Sequence, residues 1–336
     1  MELMLPDIWF AILGFVLFLA VVLDGFDLGI GILSLFTQDE NRRSLLMGSI
    51  GPVWHANLTW LVVLGGLFFG AFPLAYGVIF SALYIPVILM VIALAFRGVS
   101  FDFREESQDK RPWNLAFGLG SLIAALAQGF ALGGFLSGFK MQGDNFVGGV
   151  WDWLNPFAAL VALALLGGYV LLGATWLILK TAGDAQADGY RYAKVGAWSL
   201  LVLAVALGGW SIHTHPLLAR KWFTFPDAWL TFGPFLLAAM AFILLIRSLL
   251  KLQETAPFVW SVVFFALAMF SGAASLHPYV IPPTITLTAA AAPPQTLVTM
   301  LGLVAVVLPV MLIYNGYQYL VFRGKVTRSG YGAYEE

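Results

Sequence analysis

Long apolar runs, separated by short polar connectors, follow one another along almost the whole chain. A helix that crosses a bilayer needs about 20 consecutive, mostly apolar residues, because every backbone N–H and C=O must be satisfied within the segment. Runs of that length predict nine transmembrane helices, at about 8–36, 50–72, 75–97, 114–137, 156–180, 196–213, 229–250, 257–276 and 297–322, the sixth and eighth being the shortest. The fold expected is an all-α polytopic membrane protein, a single integral membrane domain over 1–336. A faint similarity between VLDGFDLGIGIL in the first run and LLGATWLILKT in the fifth allows two related four-helix halves, 8–137 and 156–276, with the helix at 297–322 peripheral to both. The first run is too long for a signal-peptide core and has no basic region before it, so it reads as a retained helix.

Composition agrees with this pattern: 60% of residues are hydrophobic and 10% charged, against about 25% charged in a soluble domain. The net charge of −1 gives no indication of a nucleic-acid partner. With no cysteine, the chain has no disulfide, thiolate metal site, iron–sulfur cluster or CxxCH haem attachment.

Basic residues orient the spans. Arg42, Arg43, Arg97, Arg104, Lys110, Arg111, Lys180, Arg191, Lys194, Arg247, Lys251, Arg323, Lys325 and Arg328 fall on one side, and only Lys140, Arg220 and Lys221 on the other. That asymmetry predicts an external N-terminus and a cytoplasmic C-terminus, as nine spans require. Trp151, Trp153, Trp222 and Trp229 suit an outer interfacial belt.

An ionisable side chain costs about 2.5 to 3.5 kcal/mol at the centre of a spanning helix, so each one needs a partner, a water cavity or a task. Asp24 and Asp27, in LDGFDLGIG, are three residues apart and share a helix face, where two carboxylates can share protons. At a helical rise of about 1.5 Å per residue, Asp27 lies roughly 13 Å and Asp24 roughly 18 Å from the inner surface. His55, in GPVWHANLTW, lies roughly 8 Å in from the same surface. Gly51 would form the corner and Pro52 the first turn of that helix, leaving His55 near the positive end of its dipole.

Two roles are open to these groups. They form either a proton-entry ladder with His55 at its mouth, or a structural set in which the acids hydrogen-bond backbone freed by neighbouring glycines and His55 satisfies a loop carbonyl. Gln128, Asn315, Tyr317 and Gln318 are uncharged and read as interhelical contacts, with Gly129, Gly133, Gly134 and Gly316 permitting close helix approach. The histidines are poorly placed for axial ligation, since His213 and His215 point to different faces and His277 lies in the HPYVIPP loop. No haem iron is expected to be ligated by this chain.

Several stretches together resemble subunit II of cytochrome bd-type quinol oxidases, including the cyanide-insensitive branch. They are DGFDLGIG, GPVW-x-x-N-x-TWLV with GG-LF-x-AFP-x-AY, FRGVSFDFR, PYVIPP with TLTAAAAPP, and YQYLVFRGKV. The resemblance implies a bacterial cytoplasmic-membrane complex that oxidises quinol and reduces oxygen to water with cytoplasmic protons. It implies that the haems sit in subunit I, with which this chain would form a heterodimer, and that subunit II ligates none. It also implies membrane lipid around the complex and, in some members, a structural quinone and small single-helix accessory subunits.

By the same resemblance, Asp24 and Asp27 match paired aspartates of the proton path, Trp54 and Asn57 match a supporting motif, and Arg97 matches the arginine closing the third helix. Gln128 is a candidate quinone or interhelical contact. The family's stretch looks like GPVWD-x-NETW, and here His55 stands for the Asp and Leu58 for the Glu. Either His55 takes over proton handling, the expectation favoured by the retained Asp24, Asp27 and Asn57, or the path is weakened and the partner delivers most protons. The competing classes are a proton-coupled transporter or channel, and an assembly scaffold whose aspartates are structural.

Overall fold

The computed structural model describes residues 4–214, 221–327 and 330–331, so Arg220, His215 and Arg328 lie outside the described residues. Among the described residues, nine helices are long and apolar enough to cross a membrane. They are α1 (Leu5–Leu35), α3 (Trp54–Ala71), α4 (Pro73–Glu106), α5 (Arg111–Leu136), α6 (Pro156–Lys180), α7 (Gly183–Thr214), α8 (Ala228–Leu250), α9 (Ala256–Leu276) and α11 (Pro294–Val321). Two shorter helices, α2 (Glu40–Ile50) and α10 (Leu287–Ala290), lie in connectors.

All nine expected spans are present, with four differences at or between their ends. The third span runs on to Glu106, so Arg97 lies inside α4 rather than at its close. The sixth span is among the longest, because α7 extends back through the polar stretch from Gly183. Pro52 is not in a first helical turn: residues 51–53 form a turn, Val53 caps α3, and the helix starts at Trp54. The connector after α1 folds into α2, where Asp39 accepts the Arg42 N–H at 2.8 Å as N-cap. Leu46, Met47 and Ile50 of α2 join the main core. Their apolar positions are too few to announce a helix against the charged residues that precede them.

Helix starts follow local chemistry. Pro73 and Pro156 occupy first helical positions, where a missing N–H costs nothing, and Asn155 caps α6 by accepting the Ala158 N–H at 2.9 Å. Inside α4, Pro86 cannot donate to the preceding turn, and the backbone leaves helical values at Leu83 (φ −116°, ψ 17°).

The helices pack where side chains are smallest. A Cβ added to Gly29 of α1 would fall 1.9 Å from the Tyr169 carbonyl oxygen of α6, and one on Gly173 would fall 2.6 Å from the Gly29 carbonyl carbon. Gly129 and Gly133 of α5 meet Ala162 and Ala158 of α6 in the same way, each 2.4 Å from a Cα. Such approach is the usual device where apolar surface gives helices no preference over lipid. Gly134 packs on Trp153 and Leu83, whereas no described residue of this chain lies within 4 Å of a Cβ added to Gly316.

The end of the bundle that carries the connectors 36–53, 107–110 and 181–182 is closed by a polar clasp. Arg104 near the end of α4 donates to Asn114 (2.6 Å), Glu40 (2.5 Å) and Ser44 (2.9 Å), and Asn114 donates to Glu40 at 2.9 Å. Arg43 donates to Glu40 at 2.6 Å and also to the Ser34 and Thr37 carbonyls. Although partial burial opposes it, these two guanidinium groups hold the Glu40 carboxyl below its usual range. Four elements are thereby tied together around one carboxylate. At the opposite end, two short hairpins (Met141–Gln142 with Asn145–Phe146, and Tyr279–Ile281 with Ile285–Thr286) close the connectors.

Candidate functional site

Asp24 and Asp27 lie one turn apart on α1 and are both enclosed, at 2% and 0% exposure. The glycine crossing with α6 holds this part of α1 at the middle of the helix cluster. From α4, Arg97 reaches both acids, with nitrogens 3.7 Å from Asp24 and 4.0 Å from Asp27. It is 1% exposed. Its guanidinium lies between the rings of Trp54 and Phe117, each centroid 5.7 Å away. The two aromatic faces supply cation–π attraction and exclude lipid and water from that side.

α3 contributes Asn57, fully buried, whose Nδ2 donates to Asp27 at 3.0 Å and to the Leu23 carbonyl at 3.4 Å. Its Oδ1 accepts the hydroxyl of Tyr319 from α11 at 2.6 Å. On the Asp24 side, Tyr169 of α6 donates to Gln128 Oε1 of α5 at 2.6 Å, and the Gln128 side chain adjoins Asp24. Gln128 therefore makes an interhelical contact.

Two carboxylates face one guanidinium. Fully ionised, the trio carries one uncompensated negative charge in a low-dielectric interior, which is costly. A single proton on either acid brings it to neutrality. Among the described residues, both Asp24 oxygens, Asp27 Oδ1, and Arg97 Nε and Nη2 are buried with no partner in full hydrogen-bond geometry, although the Gln128 side chain adjoins Asp24. Unpaired acceptors of that kind are expensive to keep unless a proton or water visits them.

The structure thus brings Asp24, Asp27, Asn57 and Arg97 together, with Trp54 as a cover and Gln128 at the edge. His55 is placed elsewhere. It is exposed, its ring tilted by 30° to that of Trp54 with centroids 3.5 Å apart, and its side chain makes no hydrogen bond among the described residues. The sequence reading did not single out Tyr169, Phe117 or Tyr319. Tyr319 was within reach, being adjacent to Gln318, whose Nε2 donates to the Pro52 carbonyl. Asn315 is buried and Tyr317 is 65% exposed, so Tyr317 is not an interhelical contact within this chain. Among the described residues, no group of three or more His, Asp or Glu side chains is placed to hold a metal ion.

Comparison with known proteins covers nearly all of this chain. The family described as cytochrome bd terminal oxidase subunit II matches residues 5–322. The chain is 29% identical to the cytochrome bd-I ubiquinol oxidase subunit 2 of Escherichia coli K12, over 96% of its own length and 95% of that protein. It is 30% identical to the cytochrome bd ubiquinol oxidase subunit 2 of Bacillus subtilis over 70% of its length and 72% of the relative's. A chain of the bd oxidase from Geobacillus thermodenitrificans has the same fold, with a TM-score of 0.78 at 19% identity, covering 94% of this chain and 98% of that one.

Proposed function

This chain belongs to the cytochrome bd terminal oxidase subunit II family, and from that premise we propose that it is the non-haem subunit of a bd-type quinol:oxygen oxidoreductase, stabilising a haem-bearing subunit I and supplying part of its proton-uptake path. It is a multi-pass inner-membrane protein and an oxidoreductase subunit, inactive alone in this reading. The haems, when the complex is assembled, supply the electron and oxygen chemistry from the partner.

The observation that supports the path is the enclosed trio of Asp24, Asp27 and Arg97. A proton held by either carboxylate leaves the trio neutral, so moving it between them changes no net charge. Arg97 remains paired to whichever acid is ionised. Asn57 holds Asp27, and the Trp54 and Phe117 rings keep Arg97 in place. The basic end faces the cytoplasm in this reading, by the arginine and lysine bias. His55, exposed at that same end but turned away from Asp27, is assigned to the mouth of the path rather than to a ladder with the two acids. Gln128 serves as an interhelical contact through Tyr169.

The test is Asp24→Asn and Asp27→Asn, singly and together, in the assembled complex. Slowed proton uptake during oxygen reduction, at wild-type haem content, is the expected result. Unchanged uptake in the double variant would make the acids structural and this subunit a scaffold. A visible spectrum without haem bands in the purified complex would favour the transporter reading.

A further inference from the structure

We infer that Tyr319 is a positioning residue that locks the Asn57 amide so that its N–H faces Asp27 whether or not Asp27 carries a proton. The inference rests on the proton path proposed above, and its own geometry comes from α11, the last spanning helix.

Asn57 is held by three contacts. Two of them, Asp27 Oδ2 and the Leu23 carbonyl, are oxygens that accept from Nδ2, and the third is the Tyr319 hydroxyl that donates to Oδ1. While Asp27 is ionised, both acceptors hold the amide nitrogen towards it. Once Asp27 gains a proton, its hydroxyl can donate as well as accept. An amide held then only by the long 3.4 Å contact to the Leu23 carbonyl could turn over, present Oδ1 to that hydroxyl and trap the proton. The Tyr319 hydroxyl, already donating to Oδ1, opposes that rotation.

The phenol is itself fixed. Its ring meets the edge of Trp176 at 6.0 Å and 85°, and Trp176 is stacked at 4.4 Å on Phe26 and donates to the Ser49 carbonyl at 3.3 Å. One residue earlier, Gln318 grips the Pro52 carbonyl at the turn before α3, and three residues later Lys180 donates to the Phe322 carbonyl at 2.7 Å. The end of α11 is therefore braced against α3 and α6. The charged groups facing Asp27 are Asp24 on its own helix and Arg97 on α4, with Asn57 on α3 as the neutral partner that Tyr319 controls.

The experiment uses the assembled oxidase carrying Tyr319→Phe, which keeps the ring against Trp176 and removes the hydroxyl that donates to Asn57. Losing one such hydrogen bond is expected to slow proton uptake about fivefold and to shift the pH profile of oxygen consumption, with haem content unchanged. In an Asn57→Leu background the same substitution should add nothing, as a residue acting only through Asn57 requires. A wild-type pH profile in Tyr319→Phe, or independent addition of the two effects, would overturn the inference. An infrared measurement separates it from the proton-path reading. The Asp27 carboxyl band, assigned by its loss in Asp27→Asn, should move in Tyr319→Phe even where Asp27→Asn leaves proton uptake untouched. A band that stays in place removes Tyr319 from the role.

Discussion

Gly29 of α1 and Gly173 of α6 touch through their backbones, and this crossing sets the position of Asp27 two residues away. A methyl group on Gly29 would meet a carbonyl oxygen rather than a movable side chain. Gly29→Ala is therefore expected to destabilise the subunit by about 1 to 3 kcal/mol, the usual cost of overpacking. Gly316→Ala, where no described residue of this chain lies within 4 Å of the added methyl, should cause no such overpacking, read as thermal unfolding of the detergent-solubilised subunit. Equal melting curves for the two variants would contradict the crossing.

Arg97 is the one cation within 4.0 Å of both buried acids among the described residues. Arg97→Leu should cost about 3 to 5 kcal/mol, the range for removing one partner of a buried pair. The loss should be seen as poor accumulation of the complex. Adding Asp27→Asn to that variant should recover part of it, because one stranded charge is removed. No recovery would mean that Arg97 acts by packing between Trp54 and Phe117 alone.

His55→Leu tests the mouth of the path. Slower proton uptake with intact assembly is expected, since the exposed imidazole has no structural hydrogen bond to lose. Wild-type oxygen reduction and uptake across neutral pH would remove His55 from the path.

Much of this arrangement was legible in the sequence. Hydropathy located the nine spans, and the i, i+3 spacing placed both acids on one face. Depth could be estimated too, from rise per residue, but direction around a helix could not. His55 and Asn57 are two residues apart, hence about 200° around the helix. Once Asn57 turns to Asp27, His55 must turn away. Tyr319 was hidden for another reason: α11 presents many aromatic and aliphatic side chains, and only the fold shows which hydroxyl reaches a partner.

The Glu40 clasp predicts an acid-sensitive bundle end. Its carboxyl titrates below the ordinary 4.5 when folded, so its contribution to stability is complete above that pH. It is lost as the pH falls from there through the lowered folded value. Thermal stability of the complex should decline over that window, and Glu40→Gln should flatten the decline while lowering stability at neutral pH. Because the Glu40 side chain is 43% exposed, the effect should be modest. Identical acid profiles for the two proteins would show that the clasp carries no such linkage.

The residues of the trio and its brace are also spread along the order of synthesis. Two acids enter the membrane with the first span, their cation arrives with the third, and the hydroxyl that fixes Asn57 arrives with the ninth. A growing chain therefore carries unmatched carboxylates until Arg97 emerges, and its Asn57 amide lacks the Tyr319 donor until translation is almost finished. Proton handling of the kind proposed here would be switched on by completion of the polypeptide itself.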